Sequence, residues 1–428
     1  MSDAGPSGVP SWPKGADECE IEQLLRLADQ CVKCGYCLPH CPTFKLAQDE
    51  GESPRGRIAL IQGLLTGAIS DGPRVQRHLD QCLECRACEP ACPSLVRYGA
   101  LMDGARAVRA QHRSAGQPGL RRLRLALLTR PAGLRLVAGV GILYRWLRLP
   151  PRLIDRLSKR WPAIQVLDPL AKSLRWPRRR LPSSAGEVAL FRGCVAQLTD
   201  QPLEAAALRL LTRLGYPPRV PNEQVCCGAM HRHNGYPAEA DQQLALNAQV
   251  FAKRPVIGLA SACVAELREH GQAAGHLNAI EICRFLLDQP WPVEARLNPL
   301  PVKVAVHEPC SHRNQLGDQA AVYQLLQRIP ELSLTPLPGN ETCCGAAGTY
   351  LTEHPEIALA LAAPKIDALE RMRPDYLVTT NTGCALHLAA RIRHAGLATQ
   401  VLHPIQLIER QLSIQPQTAK IAYEQKRL

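Results

Sequence analysis

Between residues 18 and 112 apolar side chains recur every three or four positions, and no stretch alternates with a period of two. That period is helical. Ile21, Leu24, Leu25 and Ala28 share one face of a helix predicted over 18–30. Ser53-Pro54 has the form of an N-cap and a first helical residue, and Ile58, Ile61, Leu64 and Leu65 continue it as a stripe. Asp71-Gly72-Pro73 breaks that helix, and further helices are predicted over 75–81 and 96–112. The pattern changes near residue 187. Short apolar runs at 188–191 and 302–306 lead into Cys194 and Cys310, and helical stretches follow at 203–214 and 320–329. Buried strands at 256–260 and 376–380 then each open a further helix. Strands alternating with helices predict parallel βα units, whose functional groups gather at the strand ends.

The second half repeats itself. Cys194, Cys226-Cys227-Gly228 and Cys263 in the first copy answer to Cys310, Cys343-Cys344-Gly345 and Cys384 in the second. The spacings nearly match: 31 residues lie between Cys194 and Cys226, and 32 between Cys310 and Cys343. A duplicated α/β domain is expected, with copies at 187–298 and 299–412 and a tail at 413–428.

Charge singles out the stretch between the halves. Of 51 Lys and Arg in the chain, 17 fall between residues 113 and 182 against two acids, Asp155 and Asp168. The remainder is close to neutral, so a polyanionic surface or partner would be met here. Pro131, Pro150, Pro151, Pro162, Pro169, Pro177 and Pro182 divide this segment (113–186) into short predicted helices. Its longest apolar run has nine residues, 136–144, where a spanning helix needs about 20. Arginine and leucine with Tyr144, Trp146, Trp161 and Trp176 give the composition of helices lying in a membrane interface. A docking face for another protein and a solvated linker are the other readings. Aromatics make up only 4 % of the chain, which argues against stacking on nucleic-acid bases.

Eighteen cysteines without an apolar export signal argue for reduced thiols. Residues 1–17, rich in Gly, Pro and Ser, read as a disordered leader. Eight of the cysteines form two identical runs: Cys31-x-x-Cys34-x-x-Cys37-x-x-x-Cys41-Pro42 and Cys82-x-x-Cys85-x-x-Cys88-x-x-x-Cys92-Pro93. Three thiolates at this spacing wrap a cubane from one tight loop, whereas structural zinc is served by pairs of cysteines. The runs resemble those of bacterial ferredoxins, in which the fourth cysteine serves the other cluster. The resemblance implies one [4Fe–4S] cluster on Cys31, Cys34, Cys37 and Cys92, and a second on Cys82, Cys85, Cys88 and Cys41. The 40 residues between the runs and the helical period are similar to the helical ferredoxin half of succinate dehydrogenase iron–sulfur subunits. The expected fold is thus multidomain: an all-α ferredoxin-like domain over 18–112, then the basic segment, then the duplicated α/β cysteine-rich domain.

The duplicated Cys, Cys-Cys-Gly, Cys pattern resembles the CCG domains of heterodisulfide reductase. With two ferredoxin runs ahead of it, the chain resembles the iron–sulfur subunits of bacterial glycolate dehydrogenase (glycolate oxidase). The stretches from Cys343 through Gly345 and Gly348 to Tyr350, and from Asn381 through Cys384 to His387, carry that likeness. It implies further iron–sulfur ligands at Cys194, Cys226, Cys227, Cys263, Cys310, Cys343, Cys344 and Cys384. The fuller CCG pattern ends in Cys-x-x-Cys, where this chain has Cys263-x-x-Glu266 and Cys384-x-x-His387; Glu266 and His387 both stand as candidate ligands one helical turn away. His231, His233, His307, His312 and His403 flank the same region, while Cys19 and Cys283 read as buried core thiols.

No Gly-x-Gly-x-x-Gly follows a strand, and no phosphate-binding loop is present. One-electron centres cannot by themselves accept the electron pair of an alcohol carbon, so the resemblance implies a separate flavoprotein subunit that oxidises a 2-hydroxy acid. A membrane quinone is the expected acceptor, at the inner face of the cytoplasmic membrane, and no nucleic acid is expected as a partner. Two other readings use the same cysteines: the iron–sulfur subunit of an anaerobic glycerol-3-phosphate dehydrogenase, and a heterodisulfide-reductase-like enzyme.

Overall fold

Every regular element among the described residues between 18 and 114 is a helix. The computed structural model describes residues 18–114, 119–147, 150–161, 163–177, 181, 185–275 and 277–413. The leader read at 1–17 and nearly all of the tail lie outside these. Helices run over Glu18–Asp29, Pro42–Ala47, Pro54–Leu65, Pro73–Asp80 and Tyr98–Ser114. Ser53 caps the third, its Oγ accepting from the Gly56 amide at 2.9 Å, and proline opens three of the five, where no amide is needed. Leu24, Ala28, Ile58, Ile61, Leu64, Leu79, Leu101 and Met102 form their common core. Cys19 is exposed, not buried as expected. It lies in the first turn of its helix, whose buried positions are Leu24 and Ala28.

Each repeat builds a small parallel sheet. Strands β1 (Ala189–Phe191), β2 (Pro255–Gly258) and β3 (Asn278–Glu281) pair in that order. In the second repeat β5 (Lys303–Val306), β6 (Ser333–Pro336), β7 (Tyr376–Val378) and β8 (Gln400–Leu402) pair in the order β6-β5-β7-β8. The first repeat keeps the position of β6 as a single parallel bridge between Ala189 and Arg219, so the two topologies are the same. A two-residue antiparallel pair, β4 (Arg296–Leu297) with β9 (Leu412–Ser413), ties the segment after the last helix of the second repeat to the connection between repeats.

The repeats pack reciprocally. Helix Gln201–Arg213 of the first lies on Pro404–Gln411 of the second, and Ile282–Asp288 of the first on Ala320–Leu326 of the second. Leu190, Leu210, Ile257, Val304, Leu325 and Val378 join one core across the pseudo-twofold. Cys283 is buried in it, as its helical pattern predicts.

The basic segment forms helices Gly119–Thr129, Pro131–Trp146, Pro151–Arg160 and Ala163–Ser173. Pro169, expected to divide two helices, lies inside the last one. An interior proline costs about 3 kcal/mol; this helix is held by packing against Pro131–Trp146 and against Thr382–His394 of the second repeat. Among the described residues no single helix is long and apolar enough to cross a membrane, and the one pair that meets length and composition together is bent by 88°. Leu136, Val140, Leu143 and Leu147, at helical spacing, are all exposed, as are Trp146, Trp161 and Trp176.

Candidate iron–sulfur sites

The two ferredoxin-type runs fold as equivalent loops. Lys33 and Glu84 take left-handed conformations at the third position of each run, as do Gly35 and Arg86 at the fifth. These reversals turn three thiols of each run inward from one tight loop. A cavity of about 410 Å³ is lined by Cys31, Cys34, Cys37 and Cys92, with Cys88 at its edge. A second, of about 310 Å³, is lined by Cys82, Cys85, Cys88 and Cys41. The fourth cysteine of each run therefore lines the cavity of the other run. Four convergent thiols around a cavity are a donor set suited to iron–sulfur ligation.

The cavities differ in surroundings. Cys34 is exposed, and Val32, Tyr36 and Leu95 around the first are each about two-thirds or more exposed. Cys41, Cys82, Cys85 and Cys88 are buried, and burial pushes the Cys85 and Cys88 thiols up. Arg57, 1 % exposed, stands behind Cys41. Its Nε donates to the His78 carbonyl at 2.7 Å, its Nη1 to Thr43 Oγ1 at 3.0 Å, and its Nη2 pairs with Glu52; Nη1 lies 3.9 Å from Cys41 Sγ. Sequence reasoning did not single out Arg57. The available signal was an arginine on the apolar stripe of a helix, one position before Ile58 and four before Ile61.

The repeat cysteines converge at the carboxyl ends of their sheets. Cys226 donates to Cys194 at 3.4 Å, and Cys227 is hydrogen-bonded by Cys226 and Cys263, which hold it well below the ordinary thiol range. Cys310 and Cys343 sulfurs lie 3.9 Å apart, Cys344 and Cys384 3.2 Å apart. Hydrogen bonds from Cys310 and Cys344 make Cys343 the favoured thiolate there. Gly228 and Gly345 take φ of 105° and 90°. A Cβ on Gly345 would lie 2.7 Å from Ala358 Cα, and one on Gly228 3.2 Å from Ala240 Cα. Glycine after the cysteine pair thus lets each loop close on the helix behind it.

His307, Cys344 and Cys384 are buried with donor atoms within 4.8 Å of one another, and His307 Nδ1 lies 3.0 Å from Thr379 Oγ1. His387 is placed differently: its Nε2 donates to the Ala358 carbonyl at 3.1 Å. Glu266 is paired with Arg232 at 2.7 Å, and burial pushes it up to about 7. Other flanking histidines serve structure. His403 caps helix Pro404–Gln411, and His312 bridges Thr380 and Asp318 at 2.7 and 2.8 Å. His233 meets Asp103 at 3.0 Å and also pairs with Glu84, joining the first repeat to the second cysteine run.

That run is seated between the repeats. Arg86 pairs with Glu269 of the first at 2.6 Å, and Asn314 of the second donates to the Cys85 carbonyl at 2.8 Å. Leu83, Cys85, Cys310, Cys343 and Tyr350 share one apolar cluster. The buried run therefore abuts the cysteines of the second repeat.

Comparison with known proteins agrees with this layout. Residues 27–96 match the 4Fe-4S dicluster domain, and residues 188–268 and 304–389 each match the cysteine-rich domain. The chain is an iron–sulfur protein made of a dicluster domain and two cysteine-rich domains. It is 32 % identical to the glycolate oxidase iron-sulfur subunit of Escherichia coli over 421 residues, covering 93 % of this chain and 97 % of the relative. A probable glycolate oxidase iron-sulfur subunit of Bacillus subtilis is 30 % identical over 87 % of this chain and 90 % of its own length. Lactate utilization protein A of Geobacillus kaustophilus is 30 % identical over half of this chain. The chain belongs to the family of glycolate oxidase iron–sulfur subunits.

Proposed function

We propose that this chain is the electron-transfer subunit of a 2-hydroxy-acid dehydrogenase complex, passing electrons from a flavoprotein that oxidises a glycolate-type substrate to a membrane quinone. The observation that carries the reading is the series of thiol sites from surface to interior: a half-buried quartet with Cys34 exposed, a fully buried quartet, and the second repeat's cysteines against it. Iron–sulfur clusters bound there supply one-electron transfer. On this reading Cys31, Cys34, Cys37 and Cys92 hold the entry cluster, and Cys82, Cys85, Cys88 and Cys41 the next, in a helical ferredoxin-like unit. Exposed Val32, Tyr36 and Leu95 form an apolar rim at the entry end suited to docking the flavoprotein. In the second repeat Cys310, Cys343, Cys344 and Cys384 are the metal-site thiols, with His307 as the imidazole beside them; in the first, Cys194, Cys226, Cys227 and Cys263 form an all-thiol counterpart.

The basic segment is the membrane-facing element. Its exposed Leu136, Val140, Leu143, Trp146 and Leu147 stand among exposed Arg122, Arg124, Arg135 and Arg152, the combination that seats helices in anionic headgroups. On this reading the complex sits at the inner face of the cytoplasmic membrane. Purified complex, assayed with a panel of 2-hydroxy acids and a short-chain quinone, tests the reading. Glycolate-dependent quinone reduction lost on omitting this subunit and restored on adding it is expected; full quinone reduction by the flavoprotein alone would refute it.

A further inference from the structure

A cleft lies where the basic segment meets the second repeat. One wall is helix Ala163–Ser173, contributing Val166 and Leu170; the other is helix Thr382–His394, contributing Leu386, His387 and Ala389, with Val401 nearby. The second helix carries Cys384 in its first turn. The cleft wall therefore begins one residue, Ala385, beyond a thiol of the second repeat's site. Exposed Leu167 and Trp176 lie on the same segment beside it. Its mixed lining suits a flat apolar ring with a few polar attachment points.

We propose that this cleft binds the quinone head group, an inference that rests on the quinone-reductase reading above. Three observations converge on it. The cleft joins the segment with the exposed apolar and basic surface, from which a membrane-dissolved quinone would enter. The helix that forms its other wall carries Cys384 on its core-facing side beside Cys344, so this one helix separates the cleft from the last thiol site. Polar groups are present where a quinone needs them. Arg393, exposed at the rim, is a donor for one carbonyl. His387 Nε2 donates to a backbone carbonyl, which leaves Nδ1 with its lone pair to accept from a quinol hydroxyl. Asp200 lies at the base, fixed by the Thr382 hydroxyl at 2.6 Å.

The chemistry balances without a further reactant. The quinone takes two electrons, released upstream by the 2-hydroxy acid, and two protons from water. Both carbonyl π bonds are lost as two O–H bonds form and the ring becomes aromatic. His387 fills the position where the fuller CCG pattern has a cysteine, and in this arrangement it serves the ligand of the cleft.

The test uses the whole complex, with 2-hydroxy-acid oxidation followed through decyl-ubiquinone and, separately, ferricyanide. Ala389→Phe narrows one wall and Leu170→Trp the other. Each should raise the decyl-ubiquinone KM by about tenfold or more, because an added ring occupies the space of the bound one. The quinone-to-ferricyanide rate ratio should fall with it, and iron content equal to wild type identifies a folded variant. An arylazido-quinone should label peptides from 163–173 and 382–394. Unshifted KM in both folded variants, or labelling confined elsewhere, overturns the cleft assignment while the quinone-reductase reading stands. A wild-type complex that reduces ferricyanide but no quinone overturns that reading, and the cleft assignment with it.

Discussion

Arg57 provides the most direct test of which sulfurs share a cluster. Its guanidinium is buried and held in place by four groups, with Nη1 3.9 Å from Cys41 Sγ. Burial alone would disfavour the cation, but the neighbouring sulfurs of Cys82 and Cys41 and the paired Glu52 carboxylate outweigh it and keep the guanidinium charged. At that separation a unit charge contributes about 4 kcal/mol at an effective dielectric near 20. For one electron this corresponds to an upper bound of about 180 mV, at 59 mV per tenfold. Charge added on reduction is spread over the whole cluster, which roughly doubles the mean distance and halves the effect. Arg57→Met should therefore lower the midpoint potential of the centre containing Cys41 on the order of 100 mV, whereas Arg57→Lys, which keeps the charge, should move it by less than about a third of that.

The assay is an EPR-monitored redox titration, with Cys34→Ser marking the signal of the exposed centre. The shift should fall on the other centre, the one built with Cys82, Cys85 and Cys88. Arg57→Met also strands Glu52 beside His78 without its cation, so folding stability should drop by about 3–5 kcal/mol. Glu52→Gln added to Arg57→Met should recover part of that. A shift in the exposed centre alone, or none beyond about 30 mV in either, would refute both the electrostatic argument and the crossed ligation.

In direct ligand tests, Cys41→Ser should impair the buried centre and Cys92→Ser the exposed one, read from their separate EPR signals. His307→Ala should abolish any ¹⁴N coupling in pulsed EPR of the second-repeat centre and reduce metal per chain, while His307→Cys restores metal at a lower potential, since imidazole ligation raises it; iron no greater than two cubanes hold, with no nitrogen coupling in wild type, counts against that centre. Changing Arg122, Arg124 and Arg135 to Gln should weaken co-sedimentation with anionic liposomes roughly a hundredfold at low salt, at about 1 kcal/mol per charge, and high salt should abolish the wild-type binding as well. Burial alone would lower His233, but Glu84 and Asp103 outweigh it and hold the imidazolium well above its ordinary range. Its contribution is therefore complete below the unfolded value near 6.5 and is lost as pH rises through the raised folded value. Thermal unfolding should thus show the advantage of wild type over His233→Gln declining steadily as pH rises above about 6.5 and vanishing above the raised folded value.

The parts legible in the sequence were those set by local chemistry. Ser53-Pro54 announced a helix start because cap and proline act within one turn, and the cysteine runs announced loops because three ligands must converge from adjacent residues. The doubled Cys-Cys-Gly likewise gave the repeat. Strands β3, β6 and β8 were not found: Ser333–Pro336 is largely exposed at a sheet edge and carries no apolar alternation. Pro169 carries the local signal of a boundary, yet its helix is stabilised by neighbours distant in sequence. His387 drew attention through its spacing from Cys384, whereas His307 lies 37 and 77 residues before the two thiols it meets. Contact between β5 and β7 brings those groups together, and spacing along the chain carries no trace of it.

The two repeats keep one loop geometry but have different surroundings. Gly228 and Gly345 perform the same turn against equivalent helices. The residue just after the first strand is Arg192 in one copy and His307 in the other. Arg192 is drawn away into an ion pair with buried Glu204 at 3.1 Å, while His307 faces Cys344 and Cys384. The residue three after the last cysteine also differs: Glu266 is taken up by Arg232, which is further tied to Asp241, and His387 borders the cleft. The second repeat alone thus combines an imidazole beside its thiols, contact with Cys85, and a cleft reaching the basic segment. The first repeat's charged partners, Glu269 and His233, instead clamp the second cysteine run through Arg86, Glu84 and Asp103. If electrons pass through only one repeat, these contacts select the second as the path and the first as its anchor. Removing Arg86 by Arg86→Met should accordingly loosen the junction, seen as faster amide exchange over 82–88, and leave the second repeat's metal content intact. Loss of that metal together with the junction would place the first repeat on the path instead.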